Sequence, residues 1–174
     1  MEFKILGRDE KKKIIEYFRN FYDLEEKFIK EIMSMQLFAS GKEKIRIYSG
    51  ALDLANIPKI QKEIVVSNAG LYLIKNENGY TRLSFDGATM FGKYARKNVV
   101  VLSEEQVEDL FLGYTLLFEE EQKKGLDKGF IILKEPRHKE ILGVGLFNGN
   151  ELLNYLPKER RISSFEYHKI PGQK

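Results

Sequence analysis

Two Asn-Gly dipeptides, Asn78-Gly79 and Asn148-Gly149, each stand between short runs of apolar residues, and they restrict the possible folds more than any other feature. A tight two-residue hairpin loop needs positive φ at its centre, which asparagine and glycine tolerate. The flanking runs, GLYLIK with YTRLS and ILGVGLF with ELLNYL, are therefore expected as antiparallel strand pairs. EIVVS, GFIILK and SSFEYHKI read as further strands.

The first half mixes these strands with helices. Ile14, Phe18 and Phe21 recur at spacings of four and three, with Ile15 and Tyr22 beside them and Asp9 placed to cap the helix. The period continues through Leu24, Phe28 and Ile32, which permits one long helix or two broken near Asp23. Residues 38–48 read as two strands around Ser40-Gly41, with Ile45 and Ile47 alternating with charge. Residues 51–56 make a helical turn before Ile57-Pro58, and Asp86 is expected to cap a short helix through Met90 and Phe91.

Near residue 95 the character changes. A strand from Val99 to Leu102 runs into Ser103 and Gln106, spaced as a capping box. Val107, Leu110 and Phe111 supply the buried stripe of the following helix, and Gly113 stops it. Beyond it, short strands with Gly and Pro turns predict a small β-barrel. The expected fold class is α+β: an α/β domain over residues 1–94 and a strand-rich barrel over residues 95–174.

Charge is unevenly spread. Residues 1–102 carry 18 basic and 13 acidic groups, residues 103–127 carry 2 and 8, and residues 128–174 carry 9 and 5. The acidic block begins with Glu104, Glu105, Glu108 and Asp109, where carboxylates complement the positive end of a helix dipole. The rest of the chain is basic, the footprint of a polyanionic partner.

Several chemistries lack their residues. Cysteine is absent, which removes disulfides, thiolate metal sites and cysteine nucleophiles, and fits a cytoplasmic life. His138 and His168 are thirty residues apart without metal-ligand spacing. Ser163 and Ser164 lack the glycines of a nucleophile elbow, and Gly143, Gly145 and Gly149 lack the spacing of a dinucleotide loop. Glycines within a strand instead permit close backbone approach or a sharp bend. No apolar run reaches the ~18–20 residues of a membrane span, and no export signal is visible. No catalytic residue, metal or cofactor is expected; an enzyme would have only Asp53 or Asp86 as mild candidates.

Residues 85–162 carry a longer pattern: FDGATMFGKYARKNVVVLSEEQVEDLFLG, then KGFIILK, then ILGVGLFNGNELLNYLPKERRI. This resembles the C-terminal RNA-binding region of the Sun/Fmu family of rRNA cytosine-5 methyltransferases, and more closely a group of stand-alone archaeal ribosome-biogenesis proteins that keep only that region. The shared features are the phenylalanine-led turn before a basic Asn-Val-Val strand, the Leu-Ser-Glu-Glu helix, Lys-Gly-Phe, Leu-Gly-Val-Gly and Asn-x-x-Pro-Lys. The resemblance implies a PUA-like β pseudo-barrel preceded by an α/β pre-PUA domain. With no cysteine for methyl transfer, it implies a non-catalytic protein that binds rRNA or tRNA in ribosome biogenesis or RNA modification, beside pre-ribosomal proteins or a separate modification enzyme.

PUA domains grip A-form RNA largely by shape and phosphate charge. The resemblance makes Lys158, Arg160 and Arg161, held close to Pro157, the expected phosphate contacts, with Asn154 meeting a 2′-hydroxyl and Tyr155 stacking on a base. Lys93, Arg96 and Lys97 extend the surface, and Lys128 and Lys134 are weaker candidates. Leu146 and Leu153 stand where relatives often carry lysine, which lowers the expected phosphate contact. The rival reading is a protein–protein adaptor on the same scaffold.

Overall fold

The computed structural model describes residues 3–51, 53–64, 66, 69–77 and 80–162. The chain is an α+β fold with two sheets and divides into two compact units, Met1–Lys97 and Asn98–Lys174, a little beyond the expected change near residue 95.

The first unit runs β1 (Phe3–Ile5), α1 (Arg8–Tyr22), α2 (Glu26–Ser34), β2 (Gln36–Ser40), β3 (Lys44–Tyr48), a 3-10 turn (Leu54–Asn56), α3 (Ile57–Ile60), β4 (Leu71–Glu77), β5 (Tyr80–Leu83) and α4 (Phe85–Gly92). Its strands form an antiparallel sheet in the order β1-β2-β3-β4-β5. Sequence periodicity does not reveal β1, because three residues are too few to show alternation.

The helical region is two helices, broken at Asp23, which takes a left-handed conformation with φ 48°. The buried stripe of α1 is Ile15, Phe18 and Tyr22, while Ile14 and Phe21 lie half-buried at its margin. Asp9 is not the cap. Gly7 holds that position, and the Glu10 carboxylate accepts the Gly7 N–H at 2.9 Å. Phe91 of α4 meets Phe18 and Phe28 edge-on, with ring centres 5.5 and 5.1 Å apart, and Phe28 stacks on Tyr94 at 4.4 Å. Such aromatic pairs add directional preference to apolar burial.

Asp86 is exposed in the first turn of α4 rather than capping it. Ser84 caps instead: its Oγ accepts the Gly87 N–H at 2.9 Å and donates to the Tyr72 carbonyl. The expected strand EIVVS does not form at residues 63–64, which are turn and bend, because a β-branched run needs a partner strand and the neighbouring β3 and β4 pair with each other. Its Val65 and Ser67 lie outside the described residues.

The second unit contains β6 (Val99–Val101), α5 (Glu104–Leu112), β7 (Leu116–Leu117), α6 (Glu120–Lys123), β8 (Gly129–Lys134), β9 (Ile141–Phe147), β10 (Glu151–Asn154) and a 3-10 turn (Lys158–Arg160). The sheet, a curled half-barrel, has the order β6-β8-β9-β10-β7, with β6 parallel to β8 and the other pairs antiparallel. Val100, Ile131, Leu133, Phe147 and Leu152 project from it into one cluster with Leu110, Leu116 and Phe118. Ser103 and Gln106 form the expected capping box at 3.1 and 3.0 Å, and Gly113, at φ 91°, closes α5. Gly145 has a packing reason: a Cβ there would lie 2.7 Å from the Leu152 side chain. The expected closing strand SSFEYHKI falls outside the described residues, and β10 ends at Asn154, short of Leu156. Among the described residues no helix is long and apolar enough to cross a membrane.

Candidate nucleic-acid interface

The second unit builds its candidate surface on the end of α5. A helix leaves its last carbonyls without intrahelical donors. Asn154, at the end of β10, adds a donor there: its Nδ2 donates to the carbonyl of Leu110, in the last turn, at 2.8 Å, and to that of Tyr114, just past the helix, at 3.0 Å. Its Oδ1 accepts the Leu156 N–H at 2.9 Å. Both amide hydrogens are thereby committed. Asn154 therefore acts within the protein as a positioning residue for the turn that follows it.

Arg161 is the second fastening. Its Nε donates to the Leu156 carbonyl at 2.9 Å, and its Nη1 lies 2.9 Å from where a Cβ on Gly113 would stand. The positive φ at 113 favours glycine, and a side chain there would also push the Arg161 guanidinium aside. A guanidinium at this place also suits the negative end of the α5 dipole. The Ile162 N–H donates to the Phe111 carbonyl at 2.9 Å, and the Arg160 N–H to the Pro157 carbonyl at 2.9 Å. Held by these bonds, the turn carries Lys158 and Arg160 exposed, while Arg161 is half-buried. Of the three expected phosphate contacts, two are outward and one is largely structural.

Tyr155 sets its ring edge-on to Phe130, centres 4.8 Å apart, and is 37% exposed. Lys128 is exposed, and its Cε lies 2.7 Å from where a Cβ on Gly149 would stand. Lys134 is half-buried at the far end of β8, where its carbonyl accepts the Leu102 N–H. Six residues of strand, roughly 20 Å, separate the two lysines, so they do not share one small site. Leu146 and Leu153 are direct cross-strand partners.

In the first unit, Lys93, Arg96 and Lys97 are all exposed. Lys93 is the C-cap of α4, where a cation complements the helix dipole. The N–H groups of Arg96 and Lys97 both donate to the Tyr22 carbonyl, at 2.9 and 3.0 Å, so the basic turn is docked on the end of α1. Arg96 pairs with Glu25 at 3.1 Å. Exposed pairs of this kind are worth only about 0–1 kcal/mol and yield readily to a phosphate.

The remaining chemical candidates are occupied locally. Asp53 caps the Leu54–Asn56 turn by accepting the Ala55 N–H at 3.0 Å. His138 is exposed in a turn whose Arg137, His138 and Glu140 N–H groups converge on the Glu135 carboxylate. His168, Ser163 and Ser164 lie outside the described residues. Among the described residues no group of three or more His, Asp or Glu side chains is placed to hold a metal.

No family model matches the chain, and no curated protein matches it. Among solved structures it is similar to a hypothetical protein from the hyperthermophilic archaeon Pyrococcus horikoshii OT3, with 14% identity and a TM-score of 0.50 over 93% of this chain and 90% of that one. At that identity the likeness bears on the fold alone.

Proposed function

We propose that the chain is a non-catalytic RNA-binding protein, with a PUA-like pseudo-barrel following an α/β pre-PUA unit. It recognises structured rRNA or tRNA during ribosome biogenesis or RNA modification. The resemblance of residues 85–162 to the RNA-binding region of the Sun/Fmu family gives the class of ligand. The observation that carries the reading is the fixed turn at Lys158–Arg160, where two exposed cations ride on a backbone tied down by Asn154 and Arg161. Preorganised cations lose little freedom when they meet phosphates. The docked turn at Lys93, Arg96 and Lys97 adds a second basic element in the first unit.

The test has two parts. Ultraviolet crosslinking in cells should recover a structured RNA. In vitro, log affinity for that RNA should fall with log salt at a slope of about −2 to −4 if three or four phosphates are neutralised. Lys158→Gln with Arg160→Gln should flatten the slope by about 1.4–1.8. A salt-independent affinity, or crosslinks confined to protein, would exclude this function.

One observation favours the adaptor reading. Beside Leu117, 71% exposed on β7, lies a groove of about 550 Å³ lined in part by Glu105, Asp109 and Glu119. A basic, partly apolar peptide suits such a groove, and protein-only crosslinks would point there.

A further inference from the structure

The sheet of the first unit has two unlike faces. Ile45, Ile47, Ile74 and Leu83 are buried. Their neighbours in sequence, on the opposite face by strand alternation, are Lys44, Arg46, Lys75 and Arg82. The register lines three of these up: Ser40 stands opposite Lys44, Lys44 opposite Lys75, and Lys75 opposite Arg82. Three cations thus lie side by side across three strands. Like charges directly opposite one another destabilise a sheet, and a merely solvated face would more simply alternate signs. Glu43 reaches this row from β3's side, with a carboxylate oxygen 3.6 Å from the Lys75 Nζ.

The next row adds an aromatic. Tyr72 stands opposite Arg46, with the Lys44 Nζ 5.4 Å and the Arg46 Cζ 5.9 Å from its ring centre. Arg46 is only 9% exposed, with Nη1 donating to the Gly70 carbonyl at 3.1 Å and Nε buried without a hydrogen-bond partner. Tyr80, 59% exposed on edge strand β5, shares the face with Arg82 two residues on. Cations in a row with tyrosines beside them match a strand whose phosphates and unstacked bases are both available. A duplex presents its backbone but keeps its bases stacked.

We propose that this face binds a single-stranded RNA segment, with Lys44, Lys75 and Arg82 meeting successive phosphates and Tyr72 and Tyr80 offering stacking surfaces. It is a binding surface additional to the Lys158–Arg160 turn, and it rests on the RNA-binding reading only for the choice of RNA.

Fluorescence anisotropy on the full chain tests it with two probes, an oligouridylate of about 12 nucleotides and an RNA hairpin duplex. Lys44→Gln/Lys75→Gln/Arg82→Gln should weaken oligouridylate binding at least about tenfold at ~50 mM salt and flatten its salt slope by about 2. Its melting curve reports whether the variant remains folded. Should that variant unfold, Tyr80→Ala keeps the question open to test and should weaken oligouridylate binding severalfold. Unchanged oligouridylate affinity in a folded triple variant overturns the proposal, as does failure of the wild-type chain to bind the probe at low salt. Lys158→Gln/Arg160→Gln separates the two readings: it should act chiefly on the hairpin. Loss of oligouridylate binding in the triple variant alone, with the hairpin bound by neither protein, would uphold the sheet face and reject the turn.

Discussion

The carboxamides of Gln106 and Gln122 exchange two hydrogen bonds, Nε2 of Gln106 to Oε1 of Gln122 at 3.0 Å and the reverse at 2.8 Å. Each glutamine also accepts a backbone N–H three residues before it, from Ser103 at 3.0 Å and Glu119 at 3.2 Å. Two helix starts are therefore locked to each other, and Gln106 adds a bond to the Leu117 carbonyl at 2.9 Å. Gln106→Ala should cost about 1–2 kcal/mol in chemical denaturation. Combined with Gln122→Ala, a double-mutant cycle should return a coupling of about 0.5–1.5 kcal/mol. Additive losses would show that the exchange contributes nothing.

Asn154 gives a second prediction, because its amide closes the C-terminal end of α5. Asn154→Leu removes the side-chain donor to the Tyr114 carbonyl and the second donor to the Leu110 carbonyl, which keeps the Gly113 N–H, and should destabilise the second unit by about 1–2 kcal/mol. Asn154→Asp should be no better, since it sets a carboxylate against carbonyls at the negative end of a helix. Equilibrium unfolding followed by tyrosine fluorescence reads both.

Gly87 tests the packing of α4 on the sheet. A Cβ at this position would stand 2.2 Å from the Leu73 carbonyl oxygen, a backbone atom with little room to retreat. Gly87→Ala should therefore lower stability by about 1–3 kcal/mol despite alanine's better helix propensity. A neutral or stabilised variant would mean that α4 shifts freely on β4.

Glu135 sets an acid limit. Burial raises its pKa, but N–H groups of Arg137, Glu140 and His138 and the nearby His138 outweigh that, leaving it below the ordinary 4.5. A carboxylate with a depressed folded pKa contributes fully above the unfolded value and loses its contribution as pH falls through the folded one. Wild-type stability should thus fall more steeply than that of Glu135→Gln as pH drops below about 4.5. Parallel curves between neutral pH and pH 3 would contradict this role.

Features whose causes are local in sequence were legible there. Ser103 and Gln106 announce their capping box within four residues, and the runs flanking Asn148-Gly149 pair as their alternation predicts. Features that depend on register or on distant chain were not. Lys44, Lys75 and Arg82 are visible singly as charges among apolar residues, yet their alignment is set by strand pairing that includes a register shift between Ile45 and Arg46. Asn154 looks like a polar strand end, and no nearby residue says that it meets Leu110 and Tyr114. Asp9 and Asp86 fit the residue preference of a cap, but Glu10 and Ser84 reach the helix N–H groups instead.

Tyr22 contributes more than its buried ring. Because one carbonyl receives two successive amides, the main chain beneath Arg96 and Lys97 has nowhere to drift, and only the side-chain torsions remain to be settled when an anion arrives. Any partner met there would select rotamers rather than mould a loop, so association at that turn should be quick and its heat-capacity change small.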